Sequence, residues 1–342
     1  MRLKELAGRL NLSQTTVSRA LNGYPEVSEV TRERVLDAAR RYGYRPNASA
    51  QRLATGRAGA VGAVLQTKRN LMFDPHYVEF LAGLGERLAE DDIDIVLSPT
   101  RGNDEMAGYR RIAAGTRVDA LVLSSPVISD ERIRLLGGLG MPFILHGRTS
   151  GQAPHAWLDI DNEGAFNHAT KHLLDLGHTR IALINGLKQL TYATHRERGF
   201  RAALTERGVR VDEDLIGDGI MTDEIGFRFA QRFLAREPRP TAILVSSMMM
   251  ALGAFRAVRA AGLELGKDVS MIAHDDVFPF LNADRMVPTM STTRSSIRLA
   301  GTRCAELVIE ILAGRDPASI HELWPVDLVI RASTGPAPAG ST

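Results

Sequence analysis

From Ala60 onward the chain alternates short apolar runs with amphipathic stretches, a pattern that few folds accommodate. The run AVGAVLQ at Ala60 has the continuous apolar character of a strand buried on both faces in a parallel sheet. Helical periodicity near Tyr77–Ala89, Glu105–Ala114 and Glu131–Leu139 then alternates with strand runs at Ile93–Leu97, Ala120–Leu123 and Phe143–Leu145. A second series begins after Trp157–Ile160, with helices near Gly164–Leu176, Thr194–Glu206, Ile225–Leu234 and Met249–Ala261 and strands at Ile181–Ile184, Ala242–Val245 and Val269–Ala273. Such alternation implies parallel sheets covered by helices and joined by right-handed crossovers. Roughly 280 residues of it exceed one comfortable core, so two lobes are expected.

The first 57 residues differ in kind. They hold 11 Lys/Arg against 5 Asp/Glu, while the rest holds 31 against 35, so the overall charge of +2 conceals a basic end on a mildly acidic body. That asymmetry points to a polyanion contact confined to the N-terminus. Leu3, Leu6, Ala7 and Leu10 recur at helical spacing; Asn11-Leu12 breaks the period, and Ser13 is suited to cap a second helix. There Val17, Ala20 and Leu21 face inward, leaving Gln14, Thr15, Ser18 and Arg19 outside. A helix, a tight turn and a helix showing amides, hydroxyls and an arginine is the form of a major-groove reader. A third helix opens at Ser28, with Val35, Leu36, Ala38 and Ala39 inside and Tyr42 and Tyr44 packing on the small core. The segment 47–57 has some helical periodicity but no partner, and eleven residues are too few to hold a helix alone in water.

The stretch LNLSQTTVSRALNGYPEVSEVTRERVLDAARRYGYRPNASAQRLATGR resembles the DNA-binding head and hinge of the lac repressor (LacI/GalR) family, through TVSRALNG, VS-x-x-TRERV, GYRPN and the closing A-x-x-L-A. The resemblance implies base reading by Gln14, Thr15 and Arg19, and phosphate or turn contacts at Thr16, Ser18 and Asn22. It also places Asn47, Ala50 and Leu53 on a hinge helix entering the minor groove, with Leu53 as the wedge that parts the central base step. The likeness continues over nearly the whole chain. It implies an all-α helix-turn-helix head plus an α/β periplasmic-binding-protein-like core of two doubly wound lobes, crossed three times by the chain. The expected division is a head at 1–45, a hinge at 46–58, a first lobe at 59–160 with 291–324, a second at 161–290 with 325–332, and a disordered tail at 333–342. That tail lacks leucine heptads, so a homodimer on a pseudo-palindromic double-stranded operator is the expected assembly.

In such sheets ligands bind beyond the carboxyl ends of the strands. Those ends carry Gln66, Asp74 and His76; Ser98 to Arg101; Ser124-Ser125; His146-Gly147-Arg148; and, from the second series, Asn185, Tyr192, Arg196, Ser246-Ser247 and His274-Asp275-Asp276. With Phe73, Tyr77, Tyr192 and Phe278 as stacking faces, this polar set suits a neutral polyhydroxylated ligand. The residues expected to contact it are Asp74, His76, His146, Arg148, Tyr192, Arg196, Ser247 and Asp275. Arg196, in T-x-R-x-x-GF, and Asp275, in HDD, match effector-contacting positions of the family. Gly147 and Met221 depart from it, standing where many relatives carry an acidic sugar contact and an aromatic stacker. HGRTS, DIDNEGAF, INGLKQLTYATHRERGF, HDDVFP and STTRSSIRLAG resemble the branch that responds to α-glucosides.

The chain shows neither a phosphate-binding G-x-x-x-x-G-K-[ST] loop nor a G-x-S-x-G elbow, and its glycine pairs lack the third glycine of a dinucleotide fingerprint. No catalytic residue, metal site or cofactor is expected; His168 and His172 read as a surface pair and Cys304 as a packed thiol. A lone cysteine, no signal-peptide pattern and no apolar run of about 18 residues fit a cytoplasmic, nucleoid-associated protein without membrane contact. The competing reading is a sugar-binding receptor with no DNA function, against which the basic head argues.

Overall fold

The computed structural model describes residues 1–21, 23–44, 56–65, 74–100, 104–150 and 153–339. Asn22, Asn47, Ala50, Leu53, Gln66, Phe73, Arg101 and all but the last residues of the expected hinge lie outside them. The chain divides into two units, Met1–Ala58 and Gly59–Thr342.

In the first unit, α1 (Leu3–Leu10) stops at Asn11, whose left-handed φ of 54° turns the chain while its N–H reaches the carbonyls of Ala7 and Gly8. Ser13 Oγ accepts the Thr16 N–H at 3.0 Å and starts α2 (Gln14–Leu21). Ser28 caps α3 (Glu29–Arg41). Leu6, Ala7, Leu10, Val17, Ala20, Val27, Val35, Ala38 and Ala39 form the core. Two expected core residues lie outside it. Leu36, one step round the helix from Val35, is exposed, and Tyr42 lies at the surface beneath the Arg9 guanidinium, 4.4 Å from the ring centre. Tyr44 does pack on the core.

The second unit holds two six-stranded sheets. The first contains β1 (Ala60–Leu65), β2 (Asp94–Pro99), β3 (Ala120–Ser124), β4 (Phe143–His146), β5 (Ala156–Ile160) and β11 (His321–Trp324), in the order β11-β5-β4-β3-β1-β2. Its pairings are all parallel. The helices α4 (Pro75–Ala89), α5 (Glu105–Ala114), α6 (Glu131–Gly138) and α11 (Ile297–Leu312) cover it. On one face α4 and α11 approach so closely that a Cβ at Gly301 would fall 2.1 Å from the Phe80 carbonyl oxygen. The second sheet contains β6 (Ile181–Asn185), β7 (Ile216–Asp218), β8 (Ala242–Val245), β9 (Ser270–Asp275), β10 (Ser291–Arg294) and β12 (Asp327–Val329), ordered β12-β10-β9-β8-β6-β7. Here β12 runs antiparallel and the rest parallel. Its covering helices are α7 (Asn162–Asp175), α8 (Thr191–Glu206), α9 (Asp223–Leu234) and α10 (Met248–Ala260). The chain passes between the sheets after β5, after β10 and after β11.

Two expected boundaries are corrected. Residues 291–294 belong to the second lobe, because β10 pairs with β9 in register Ser291 to Ile272 through Arg294 to Asp275. The polar STTR hides this strand in the sequence, and its buried hydroxyls are satisfied in place: Thr293 Oγ1 lies 3.0 Å from His274 Nδ1, and Arg331 donates to Thr292 Oγ1 at 3.0 Å. The described residues of the tail, 333–339, are ordered. Ser333 is wholly buried; its hydroxyl accepts the Ser291 N–H and donates to the Met271 carbonyl, both at 2.7 Å. Gly335 N–H donates to Ser270 Oγ at 3.0 Å and Ala337 N–H to the Leu176 carbonyl at 2.8 Å. A segment poor in apolar residues is thus held by hydrogen bonds in the second lobe. Ser333→Val, which leaves the buried Ser291 N–H without its acceptor, should cost about 1–3 kcal/mol in urea unfolding of the full chain.

Candidate functional site

Two surfaces concern function. On the head, Gln14, Thr15 and Arg19 are exposed along α2. Thr16 and Ser18 are half-buried, and the Thr16 hydroxyl lies 2.8 Å from Ser13 Oγ at the start of the helix. Arg34 braces the bundle by donating to the Leu10 carbonyl at 2.9 Å, and Arg32 donates to that of Tyr24 at 3.0 Å. The apolar side of α2 is therefore fixed and its polar side presented, as groove reading requires.

In the body the carboxyl ends of both sheets meet at the crossing segments, around Arg196. This guanidinium, on the second turn of α8, is only 4 % exposed. Its Nε donates to Asn162 Oδ1 at 2.7 Å and a terminal nitrogen to the Ser246 carbonyl at 2.6 Å. The rings of Phe166 and Tyr192 flank it, each centred 5.1 Å away. Burial pulls its pKa down, while Asp276, Tyr192 and Asp159 oppose the loss of charge. Tyr192 is set by Gly186: a Cβ there would fall 2.2 Å from the phenol oxygen. Asn185 ties the strand end in place, accepting from Ser246 Oγ at 2.6 Å and donating to the Ala193 carbonyl at 2.8 Å.

A second group surrounds Asp159. Its Oδ1 accepts from Ile160 N–H at 2.9 Å and Asn162 Nδ2 at 3.3 Å. Arg148 Nε lies 3.1 Å from Oδ2, but at an angle that makes an ion pair without a hydrogen bond. His195 Nδ1 stands 4.0 Å from the same oxygen and has no hydrogen-bond partner. Burial pushes the Asp159 carboxyl up to about 7, more than Arg148 can offset. Two buried polar atoms directed at an incompletely satisfied carboxylate are suited to a bridging hydroxyl.

The eight expected ligand residues separate in three dimensions. Arg148, Tyr192 and Arg196 surround the crossing. Asp74 caps α4, and His76 in its first turn reaches Asp276 of the second lobe at 2.7 Å. His146, at the end of β4, stacks on Phe80 with ring centres 4.7 Å apart, and burial lowers its pKa to about 4. Ser247 and Asp275 are engaged with backbone: the serine hydroxyl accepts the Met250 N–H to cap α10, and Asp275 Oδ1 accepts the Val277 N–H at 2.8 Å. Asp159, Asn162 and His195 join the site unforeseen, and Ser246 and Asp276, named at the strand ends but not among the expected contacts, join it as well. The doublet in HDD was the one signal for Asp276; Asn162 and His195 lie on helices with nothing local to mark them. Among the described residues there is no cluster of His, Cys, Asp or Glu arranged to hold a metal, and no helix long and apolar enough to cross a membrane.

A head that presents a polar reading helix, on the same chain as a two-lobed body with a polar site between its sheets, defines a ligand-responsive DNA-binding regulator. Residues 2–47 match the profile of bacterial regulatory proteins of the lacI family, and residues 58–329 match that of periplasmic binding proteins and the sugar-binding domain of the same family. The chain belongs to the lacI family and is a DNA-binding transcriptional regulator, not an enzyme. Its relatives include the HTH-type transcriptional regulator AglR of Rhizobium meliloti (strain 1021), 49% identical over 98% of this chain and 95% of that one. The regulator CelR of Thermobifida fusca is 31% identical over 97% of each. Among solved structures, a CelR–cellobiose complex matches with a TM-score of 0.71 at 29% identity, covering 97% of this chain and 99% of that one. The lac repressor dimer bound to operator and the anti-inducer ONPF matches with a TM-score of 0.82 at 26% identity, over 98% and 99%. The reading as a receptor without DNA function is set aside by the head.

The site also carries a pH signature. Burial, with Arg196 nearby, holds the His274 pKa at about 4, as burial holds that of His146. Unfolded histidine titrates near ~6.5, so these two contribute fully above that pH and lose their contribution as pH falls toward 4. Asp159 has the opposite sign: its raised folded pKa makes its contribution full at acid pH and lost as pH rises through about 7. His146→Phe keeps the stacking on Phe80 and removes one acid-labile group. The drop in melting temperature between pH 7 and pH 5 should be smaller in this variant than in wild type.

Proposed function

We propose that the chain is a repressor of carbohydrate-utilisation genes that binds a pseudo-palindromic operator as a homodimer and responds to an α-glucoside-like sugar held between its lobes. The observation that carries the reading is the Arg196 guanidinium, buried between Tyr192 and Phe166 and fixed by Asn162 and Ser246. Fixed donors beside an aromatic face suit a sugar ring with its hydroxyls. The 49% likeness to AglR over nearly the whole chain supports the regulator, and the likeness to a CelR–cellobiose complex supports a sugar. The likeness to a lac repressor dimer on its operator supports the twofold assembly. Ligand in the cleft changes the angle between lobes; in the dimer this alters the spacing of the two hinges, which are helical only while close and docked on DNA. The setting is the cytoplasm, at the nucleoid.

Thermal-shift titration with maltose, sucrose and trehalose, beside cellobiose, tests the ligand. An α-glucoside at a hundred times its dissociation constant should add ~2.7 kcal/mol of stability, and that sugar should release operator in a mobility-shift assay. Arg196→Ala should abolish both responses and leave operator affinity unchanged; a retained response removes Arg196 from the site.

On the DNA side, Arg19→Ala or Gln14→Ala should lower specific affinity ~5- to 150-fold, the worth of one good base contact, and bring specific binding closer to nonspecific. Leu53→Gly should weaken operator binding strongly while sugar affinity stays the same, since the wedge acts only on DNA. Equal binding of wild type to random and palindromic duplexes would refute the operator reading.

A further inference from the structure

An ion pair joins the two lobes of the body across 200 residues of sequence: His76 Nε2 stands 2.7 Å from Asp276 Oδ2. His76 is in the first turn of α4 in the first lobe, and Asp276 directly follows β9 in the second. The other ring nitrogen, Nδ1, lies 3.0 Å from Asp74 Oδ1, which also accepts the His76 backbone N–H at 3.0 Å. Both imidazole nitrogens are thus engaged, one on its own helix cap and one across the cleft. Phe278 presents its ring edge-on to the imidazole at 4.9 Å.

The turn that brings Asp276 to this position is strained. Val277 has a φ of +61°, a region β-branched residues avoid, and its N–H is held by Asp275 Oδ1 at 2.8 Å. Strain of this kind persists where the surroundings over-determine the backbone, and it gathers at sites that switch. A backbone bond from Thr191 N–H to the Pro126 carbonyl at 2.9 Å also links the lobes, but it carries no charge.

We propose that the His76–Asp276 pair is a latch between the lobes, released by a rise in pH, that sets how readily the cleft opens to its ligand. The inference does not rest on which ligand the cleft takes. The charged and titratable groups facing the pair are Asp74 from the α4 cap, His274 and Asp275 from β9, Arg196 from α8 and His146 from β4. His274 is neutral near pH 7, with Nδ1 on Thr293 Oγ1 at 3.0 Å and Nε2 on Ser295 Oγ at 3.2 Å, and it stands 3.4 Å from Asp276 Oδ1. Burial works against charge on His76, but Asp276 and then Asp74 outweigh it and raise its pKa to about 10. Burial likewise disfavours the Asp276 carboxylate, yet His76 and His274 hold its pKa far below the usual range. Once the lobes part, His76 returns toward its ordinary ~6.5. The latched state therefore holds one more proton between ~6.5 and about 10, is at full strength below that window, and weakens as pH rises through it.

The test uses the full-length protein without ligand, spin-labelled at Arg134→Cys on α6 and Lys267→Cys in the second lobe, with buried Cys304 left in place. Labelled chain is diluted with unlabelled chain, and electron–electron distances are compared at pH 6.5 and 9. One linked proton makes the closed-to-open ratio fall by up to ~100-fold between pH 7 and 9, so the pH 6.5 population should give way to a second distance. His76→Gln and Asp276→Asn should show that second distance at both pH values. The wild-type arm needs no substitution at the latch. An unchanged wild-type distribution at pH 9, or variants that keep the pH 6.5 distance, would overturn the latch.

Discussion

Three strands of chain pass between the lobes, and they restrict how the body can move. Two of them are tied to each other, Asp161 N–H donating to the Trp324 carbonyl at 2.8 Å, and the third leaves β10 with Ser295 N–H on the Asp275 carbonyl of the second lobe at 3.0 Å. Lobes joined by three crossing segments can rotate about the line those segments define, but they cannot slide apart or separate. Side chains next to that line, including Asp159, Asn162, His195 and Arg196, keep their relations through such a rotation. His76, in the first turn of α4, and Asp276, directly after β9, instead belong to opposite lobes and meet across the cleft.

The cleft's electrostatics follow from burial acting on groups of both signs. His146 and His274 are driven neutral, Arg196 is kept charged by two acceptors and two rings, and Asp159 is poised near neutrality. Net charge beside the crossing is therefore small, although the residues there are ionisable. A neutral ligand rich in hydroxyls meets donors and acceptors at that point without having to neutralise a field.

Much of this was legible in the sequence because it is local. The helix pair of the head follows from apolar spacing and from Ser13 and Ser28 as caps; the parallel strands follow from apolar runs such as Ala60–Leu65. Arg196 was recognisable from the residues around it. What escaped depends on distant partners. The strand Ser291–Arg294 is polar in composition and becomes a buried strand because His274 and Arg331 satisfy its hydroxyls. The tail looks disordered by composition but is held through Ser333 and Gly335. Asn162 gives no local sign of the bond it makes 34 residues away to Arg196. No period or short motif encodes such pairs.

The boundary between Ala58 and Gly59 has a further consequence. The head has a core of its own, and the body completes both its sheets without any strand from the head. Operator choice and effector choice are therefore written in separate stretches of the gene. A single recombination event near that junction can pair one relative's address with another's signal, so new regulatory circuits can arise without rebuilding either half.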